Sequence, residues 1–231
     1  MKKNFLYITL LLCTTILCAK AQIRFTAGVG CDIYGSKYIV DDNLSDIDLN
    51  DFHKVSVSLA PKLLVGVDVS KRVRILTGFG TFTRSDQFDF NDAPSSFSAE
   101  PGNLLSKNKY NTIPVLVLFN FLSKESNSRL PIGFGIDFTS FRQTDISSDN
   151  LSALGAESLP ISRKYNELKD VIDKNMNAVS FQIGYGYEIT EHIGIDAVLF
   201  ARYDLSDFNK LDALYDRYAF AGLNIMAMYK F

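Results

Sequence analysis

Apolar and polar residues alternate along most of this chain with a period of two. Near the start, Phe25 and Val29 have one parity, whereas Gly28, Gly30 and Asp32 have the other. Eleven of the fourteen glycines share the parity that carries nearly all the charge within such stretches. Because successive side chains of a β-strand point to opposite faces, the pattern predicts strands with one uncharged apolar face and one polar, glycine-rich face.

Eight segments carry the alternation, and each is long enough for a tilted bilayer crossing, which takes about 9–11 residues. They are residues 23–34, 55–69, 73–83, 110–121, 130–141, 178–189, 193–203 and 218–231. The fourth is the weakest, because Ile113 to Phe119 is apolar on both parities. An interior filled by side chains tolerates such a patch.

The connections alternate between long and short. Long ones span residues 35–54, 84–109, 142–177 and 204–217, and short ones lie around 70–72, 123–128 and 190–192. Outer-membrane barrels have an even strand number, short periplasmic turns and long external loops. The sequence therefore predicts an all-β fold, an eight-stranded antiparallel up-and-down transmembrane β-barrel with four long external loops, formed by residues 22–231.

A soluble lipocalin-like barrel or a β-sandwich is the competing interpretation. In those folds the uncharged face would point inward and the polar face would meet solvent. Glycines on a solvent face would weaken the strands without improving the packing. Inside a narrow barrel they would make room for large neighbours such as Arg74 and Phe82, so the pattern favours the membrane barrel.

Residues 1–21 have the features of a cleavable secretory signal. Lys2 and Lys3 form a charged start, an apolar run follows, and Ala19-Lys20-Ala21 is an A-x-A cleavage site. A secreted barrel of this kind is expected in the outer membrane of a Gram-negative cell. Cleavage would leave Cys31 as the one cysteine, which excludes an internal disulfide and a cysteine metal cluster.

The charge of the chain argues against a nucleic-acid partner. The formal net charge is −2, and removal of the three lysines of the signal would bring it to about −5. A mildly acidic chain without a clustered Lys/Arg tract is a poor nucleic-acid binder.

Two stretches resemble a known group of proteins. Ile113-Pro114-Val115-Leu116-Val117-Leu118 resembles the I-P-L-L-L-K stretch of the PorT-like outer-membrane β-barrel proteins of Bacteroidota, and the stretch from Pro131 to Gly135 resembles the following strand of that family. The resemblance implies an outer-membrane barrel and a secretion-associated role. The ending Tyr229-Lys230-Phe231 resembles the terminal aromatic signal read by the barrel-assembly machinery, which implies that machinery as a partner through Phe231.

The charges with inward parity are nearly balanced between cations and carboxylates. They are Arg24, Arg74, Lys230, Asp68, Glu188 and Asp196 near one end, and Lys62, Arg202, Asp32 and Asp137 higher up. An interlocked plug of ion pairs is favoured over a conducting lumen, because eight strands leave no aqueous channel. The predicted function is therefore a structural or interaction role through the external loops. A narrow channel for small solutes is the alternative.

No catalytic, cofactor or metal site is predicted. His53, Ser56 and Asp51 could imitate the residues of a lipid A-modifying enzyme, the least favoured alternative, but His53 and Ser56 have opposite parity on one strand. In the first loop, Asp46-x-Asp48-x-Asn50 starts like a calcium loop but lacks its glycine and its final acid.

The external side offers two further candidates. Tyr165, Leu168 and Ile172 recur at helical spacing, which predicts a short amphipathic helix within 161–176 that folds over the barrel mouth or binds a partner. Lys109, Arg142 and Arg217 stand near external strand ends with lipid-facing parity, whereas Lys54 and Arg84 should turn toward the lumen. Lys109, Arg142 and Arg217 are candidate contacts for lipopolysaccharide phosphates.

Overall fold

The protein is described here by a computed structural model. The structure describes residues 23–40, 53–89, 103–122, 127–148, 161–168, 174–206 and 216–231. The predicted signal at 1–21 and the acidic segment from Asp41 to Asp51 lie outside these residues. Among the described residues, no helix has the length and apolar character needed to cross a membrane.

Ten strands and one short helix make up the described part of the chain. They are β1 Arg24–Val40, β2 His53–Lys54, β3 Val57–Asp68, β4 Val73–Asp89, β5 Asn103–Leu122, β6 Ser128–Ser148, β7 Ile161–Lys164, α1 Tyr165–Leu168, β8 Asn175–Glu188, β9 Ile193–Asp204 and β10 Asp216–Lys230. β2 and β7 are short strands that pair beyond the main ring, with β4 and β6 respectively.

The eight long strands close into one antiparallel ring. The order around it is β1-β3-β4-β5-β6-β8-β9-β10, and β10 pairs with β1 from Thr26↔Lys230 to Val40↔Asp216. The tight turns at 69–72 and 189–192 and the chain end at Phe231 mark one end of the barrel, called the turn end below. The opposite end is called the loop end. The predicted eight-stranded barrel is confirmed.

The two faces of each strand differ as the parity predicts. Leu63 on β3 points outward and is 64% exposed, whereas its neighbour Leu64 points inward and is 1% exposed. Large apolar side chains cover the outer surface of every strand in the ring. Near the turn end, the exposed outer side chains include Phe25, Tyr229 and Phe231, an arrangement typical of an interfacial aromatic girdle.

The strands run further toward the loop end than predicted. β4 ends only at Asp89, β5 already begins at Asn103, and β6 ends only at Ser148. All three strands therefore include residues that were predicted to belong to the loops at 84–109 and 142–177. The prediction used an apolar outer face as its criterion. Beyond the apolar band the outer face is mostly polar, yet the backbone ladder between β4, β5 and β6 is unbroken or nearly so.

One β-bulge lies in this extension. Tyr110 pairs with Phe141, but the next residue, Lys109, pairs with Gln143, so Arg142 is the extra residue on β6. An inserted residue reverses the parity of the rest of the strand. Thr144 is therefore buried on the inner face, and Asp145 turns to the outer face.

The short helix predicted within 161–176 is present at Tyr165–Leu168, and the prediction was wrong at 161–164 and 175–176; residues 169–173 lie outside the described part of the chain. Residues 161–164 form β7 against Gln143–Ile146, the chain is strand again from Asn175, and only Tyr165–Leu168 is helical among the residues described there. The free edge of the extended β6 offers backbone hydrogen-bond partners to residues 161–164, and these residues therefore form a strand instead of the start of a helix. Leu168 packs against the aromatic cluster inside the loop end, so this residue does reach the mouth of the barrel.

Candidate functional site: a filled lumen and a basic outer face

The inward side chains fill the lumen in successive layers between the turn end and the loop end. An ionic layer comes first, followed by an apolar layer, a polar layer and an aromatic layer. An eight-stranded barrel has an interior just wide enough for side chains. The layers therefore act as a plug. In the layers that carry charges, the contribution to stability depends on how these charges are paired.

The ionic layer at the turn end is a continuous network. Arg74 Nη2 lies 3.1 Å from Asp68 Oδ2, and Arg74 Nη1 lies 3.5 Å from Asp196 Oδ2. Arg129 donates to Asp196 Oδ1 from Nε at 3.0 Å and from Nη2 at 2.7 Å. The arginine side chains are 2% and 3% exposed and that of Asp196 is 1% exposed, so each charge relies on its partners rather than on water.

Glu188 and Lys230 complete this network from the adjoining strands. Lys230 Nζ lies 2.6 Å from Glu188 Oε2, and Arg129 also pairs with Glu188. Gly186 makes the arrangement sterically feasible, because a Cβ at that position would meet the carboxylate of Asp196 and would lie 2.7 Å from Arg129 Nε. Gly186 thus allows close approach of charged side chains, whereas a Cβ at Gly66 or Gly78 would meet a backbone oxygen and a leucine of the adjacent strand.

The apolar layer explains the segment that was apolar on both parities. Leu116 and Leu118 of β5 point inward and join a fully buried cluster. The other members are Leu64, Leu76, Val198, Met226 and Met228. This layer separates the ionic network from the polar groups above it and gives both a low-dielectric boundary.

The polar layer encloses a small cavity of about 30 Å³. Lys62 Nζ lies 2.7 Å from Asp32 Oδ1, and Arg202 Nε lies 3.7 Å from Asp137 Oδ2. The cavity has room for about one or two water molecules, which is far less than a passage for solutes needs.

The aromatic layer closes the loop end and holds two arginines by ring contacts. The Tyr34 and Phe82 rings stack at 4.9 Å, and the rings of Phe82 and Phe220 meet edge to face at 5.0 Å. The Arg202 guanidinium lies 4.4 Å from the Phe82 ring centre. The Arg84 guanidinium lies 3.6 Å from the Tyr218 ring centre, so the Arg84 side chain points into the lumen as predicted.

The outer face of the extension carries a basic patch, defined as Lys107, Lys109, Arg142 and Lys164 around Asp145. Lys109 Nζ lies 2.7 Å from Asp145 Oδ2, and Ser162 Oγ donates to Asp145 Oδ1 at 2.7 Å. Hydrogen bonds from Lys109 and Ser162 lower the pKa of the Asp145 carboxyl from its ordinary value. Lys107 faces Asp145 across the ladder, and Lys164 faces Gln143.

The three residues predicted to contact lipopolysaccharide do not form one group. Lys109 and Arg142 lie together on β5 and β6, with Arg142 exposed at the bulge. Arg217 lies on β10, which is separated from β6 by β8 and β9. Three strand spacings of about 4.8 Å exceed the span of a single phosphate group, so one phosphate cannot touch Arg142 and Arg217 together.

Ser56 has a structural partner in this region. Its hydroxyl donates to the carbonyl oxygen of Ser85 at 2.7 Å, where β3 and β4 have separated above the pair Lys62↔Gly80. His53 forms part of β2, and Asp51 lies outside the described residues. No group of three or more His, Cys, Asp or Glu side chains suited to a metal was found among the described residues.

Arg129 is the functional residue that the sequence analysis missed. It shares the inward parity of Gly133 and Asp137 on the same strand, and this parity would have identified it had the predicted strand begun one residue earlier. Its contribution is central, because it contacts Asp196 and Glu188 together.

The first prediction concerns Asp196. Asp196→Asn keeps the shape of the side chain but leaves Arg74 and Arg129 in a buried site with one counter-charge fewer, so we expect a loss of about 3–5 kcal/mol in the free energy of unfolding. Denaturant titration of the barrel in lipid vesicles measures it. Asp145→Asn is the matched control, since its exposed ion pair should cost about 1 kcal/mol or less. Equal losses in the two variants would contradict the buried network.

Comparison with known proteins gives the fold and no family. No protein-family model matches the chain, and no curated protein sequence matches it. Among solved structures, a major outer membrane protein from Thermus thermophilus is similar with a TM-score of 0.52 at 11% identity, over 90% of this chain and 99% of that one.

Two further structures are similar over most of their length. Neisserial surface protein A (NspA) has a TM-score of 0.47 at 9% identity, over 87% of this chain and 95% of that one. OprG from Pseudomonas aeruginosa has a TM-score of 0.46 at 12% identity, over 91% and 96%. At such identities the likeness concerns the fold alone. The chain has the closed eight-stranded β-barrel fold found in outer-membrane proteins.

Proposed function

We propose that the protein is a plugged barrel of the outer membrane with a structural or interaction role at the cell surface. The observation that carries this proposal is the filled lumen. Buried ion pairs, a continuous apolar cluster and stacked aromatic rings succeed one another along the axis. A lumen so filled leaves the outer wall and the external segments as the surfaces available for function.

The extended strands at the loop end support an interaction role. β4, β5 and β6 carry polar residues on both faces well past the apolar band, and β2 and β7 pair with them. These strands form a rigid platform for the external loops, from which a protein partner would be bound. Functional residues are commonly carried by loops that a rigid scaffold positions.

Finer aspects of the proposal rest on the sequence. They comprise membership of the PorT-like group of Bacteroidota, a secretion-associated role, cleavage of the signal at residues 1–21 and delivery by the barrel-assembly machinery through Phe231. The exposed position of Phe231, whose ring meets that of Tyr229 at 5.1 Å, is compatible with a recognised terminal aromatic residue.

A conductance measurement separates the proposed plug from the narrow-channel alternative. Residues 22–231 in a planar bilayer should show no steady conductance above that of the lipid, because about one or two waters fit at the polar layer. Protease protection in matched vesicles verifies insertion. Steady single-channel steps would overturn the plug and favour a solute channel, and altered lipid A in cells that overproduce the protein would favour the enzyme alternative.

The basic patch suggests lipopolysaccharide as a lipid partner. Its four cations surround one carboxylate beyond Ile113 and Phe138, where the outward positions of β5 and β6 become mostly polar. Lipopolysaccharide phosphates lie at the edge of the bilayer, and Lys or Arg forms charge-assisted hydrogen bonds to them. We propose phosphate contacts for Lys109, Arg142 and Arg217. The proposal also includes Lys107 and Lys164, because they lie beside Lys109 and Arg142.

Charge reversal tests this partner. Lys107→Glu, Arg142→Glu and Lys164→Glu together should lower the midpoint of thermal unfolding by several degrees in vesicles containing lipopolysaccharide, since each charged hydrogen bond is worth about 1.5–3 kcal/mol. Phosphatidylcholine vesicles should show little change. Arg142→Glu alone, compared with Arg72→Glu at the opposite end of the barrel, gives a control with the same net charge.

Equal shifts in the two lipids would assign the basic patch to folding and remove lipopolysaccharide as its partner. Arg217→Glu alone shows whether phosphate contacts extend to β10.

A further inference from the structure

The lumen opens at the turn end into a pocket of about 230 Å³. Its lining comes from seven strands and the turn after β3, namely Arg24, Asp68, Ser70, Lys71, Arg74, Asn120, Arg129, Glu188 and Lys230. Toward the loop end the apolar layer seals it, with Leu64, Leu76 and Leu118 almost fully buried. The pocket is therefore a dead end, accessible only from the turn end.

The charges around this pocket are unevenly matched. Within the described part of the chain, five cations line it and three carboxylates serve them, namely Asp68, Glu188 and the deeper Asp196. Asp196 and Glu188 are each shared by two cations, whereas Asp68 pairs with Arg74. Asp68 stands between Arg24 and Arg74 on the neighbouring strands, and Asp196 receives Arg74 and Arg129.

Glu188 shows the same sharing, because Arg129 and Lys230 both pair with it. Lys71 lies on the exposed turn at the rim and adds positive charge there. Five cations against three carboxylates leave a formal excess of two positive charges among the described residues around the pocket. Positive potential is left over, and it is concentrated where the low-dielectric wall and the apolar layer focus the field.

We propose that this pocket binds a phosphate group entering from the turn end. Each buried guanidinium has five N–H donors, more than its contacts with Asp68, Asp196 and Glu188 use, so donors remain for phosphate oxygens. A doubly charged anion also balances the excess of cations. Asn120, a buried side chain in the lining, offers an amide donor beside them. The volume suits inorganic phosphate or the phosphate end of a small molecule.

The rim of the pocket supplies variants that spare the buried network. Arg24 and Lys71 line the pocket and are exposed, so replacing them removes two positive charges without unpairing Asp196. Arg72 is exposed on the same turn as Lys71 but does not line the pocket. Arg72→Gln therefore controls for the loss of surface charge at this end of the barrel.

Calorimetric titration with inorganic phosphate tests the proposal, on the full barrel in zwitterionic detergent and against chloride at equal ionic strength. Saturable binding in the millimolar range or tighter is expected. Arg24→Gln with Lys71→Gln should weaken it at least tenfold, and Arg72→Gln should leave it within a factor of about two. Unchanged unfolding midpoints show that the variants keep the fold.

Absence of saturable phosphate binding, or equal weakening by Arg72→Gln, would overturn the site. Vesicles of phosphatidylglycerol provide a second arm. Competition of these vesicles with phosphate at the pocket would identify a lipid headgroup as the source of the phosphate, whereas no competition assigns the site to soluble phosphates. The site is independent of the basic patch and of the conductance result, so its failure leaves the proposed plugged barrel intact.

Discussion

The narrow interior of an eight-stranded barrel is the constraint on which the rest of this structure depends. Side chains from opposite walls meet at the axis, so every inward position must be filled without collision. Large inward residues such as Arg129 therefore require glycine beside them, as at Gly186. Charges placed there lose water, and leaving one unpaired costs several kcal/mol. Close approach and charge pairing are consequences of the same lack of space.

This constraint also separates the functions of the two surfaces. A lumen filled with Asp196, Leu64 and Tyr34 along its axis contributes stability, while the outer wall meets lipid with side chains such as Leu63. The surfaces that can bind molecules other than lipid acyl chains therefore lie at the two ends of the barrel. The loop end presents a basic outer face around Asp145, and the turn end presents a cationic pocket below the apolar layer.

Parity along the sequence predicted most of the fold, because the interior and the lipid impose opposite chemistries on adjacent residues. Leu63 and Leu64 look alike in the sequence, and only their parity relative to Gly66 and Asp68 assigns one to lipid and the other to the lumen. The same rule placed Asp196, Lys230 and Arg84 correctly. It would also have found Arg129 if the start of β6 had been set at its true position.

The parts that the sequence could not predict lie where lipid no longer imposes an apolar face. Above Ile113 and Phe138 the outer face is mostly polar, so the extension of β5 and β6 has no apolar outer face from which it could be predicted. The bulge at Arg142 depends on which residue of β5 lies opposite, and so does the outward turn of Asp145. The helical spacing of Tyr165, Leu168 and Ile172 gave no sign that residues 161–164 pair with the free edge of β6.

The central claim is that the charged, glycine-rich face points into the barrel and the apolar face meets lipid. Methyl-labelled protein in lipid nanodiscs tests it most directly by nuclear Overhauser effects. Acyl-chain protons should show cross-peaks to the methyl groups of Val29, Leu63 and Leu199. The methyl groups of Leu64, Leu116 and Val198 should show cross-peaks within their own cluster and none to lipid. Lipid cross-peaks at Leu64 and Val198, with none at Leu63, would contradict the account.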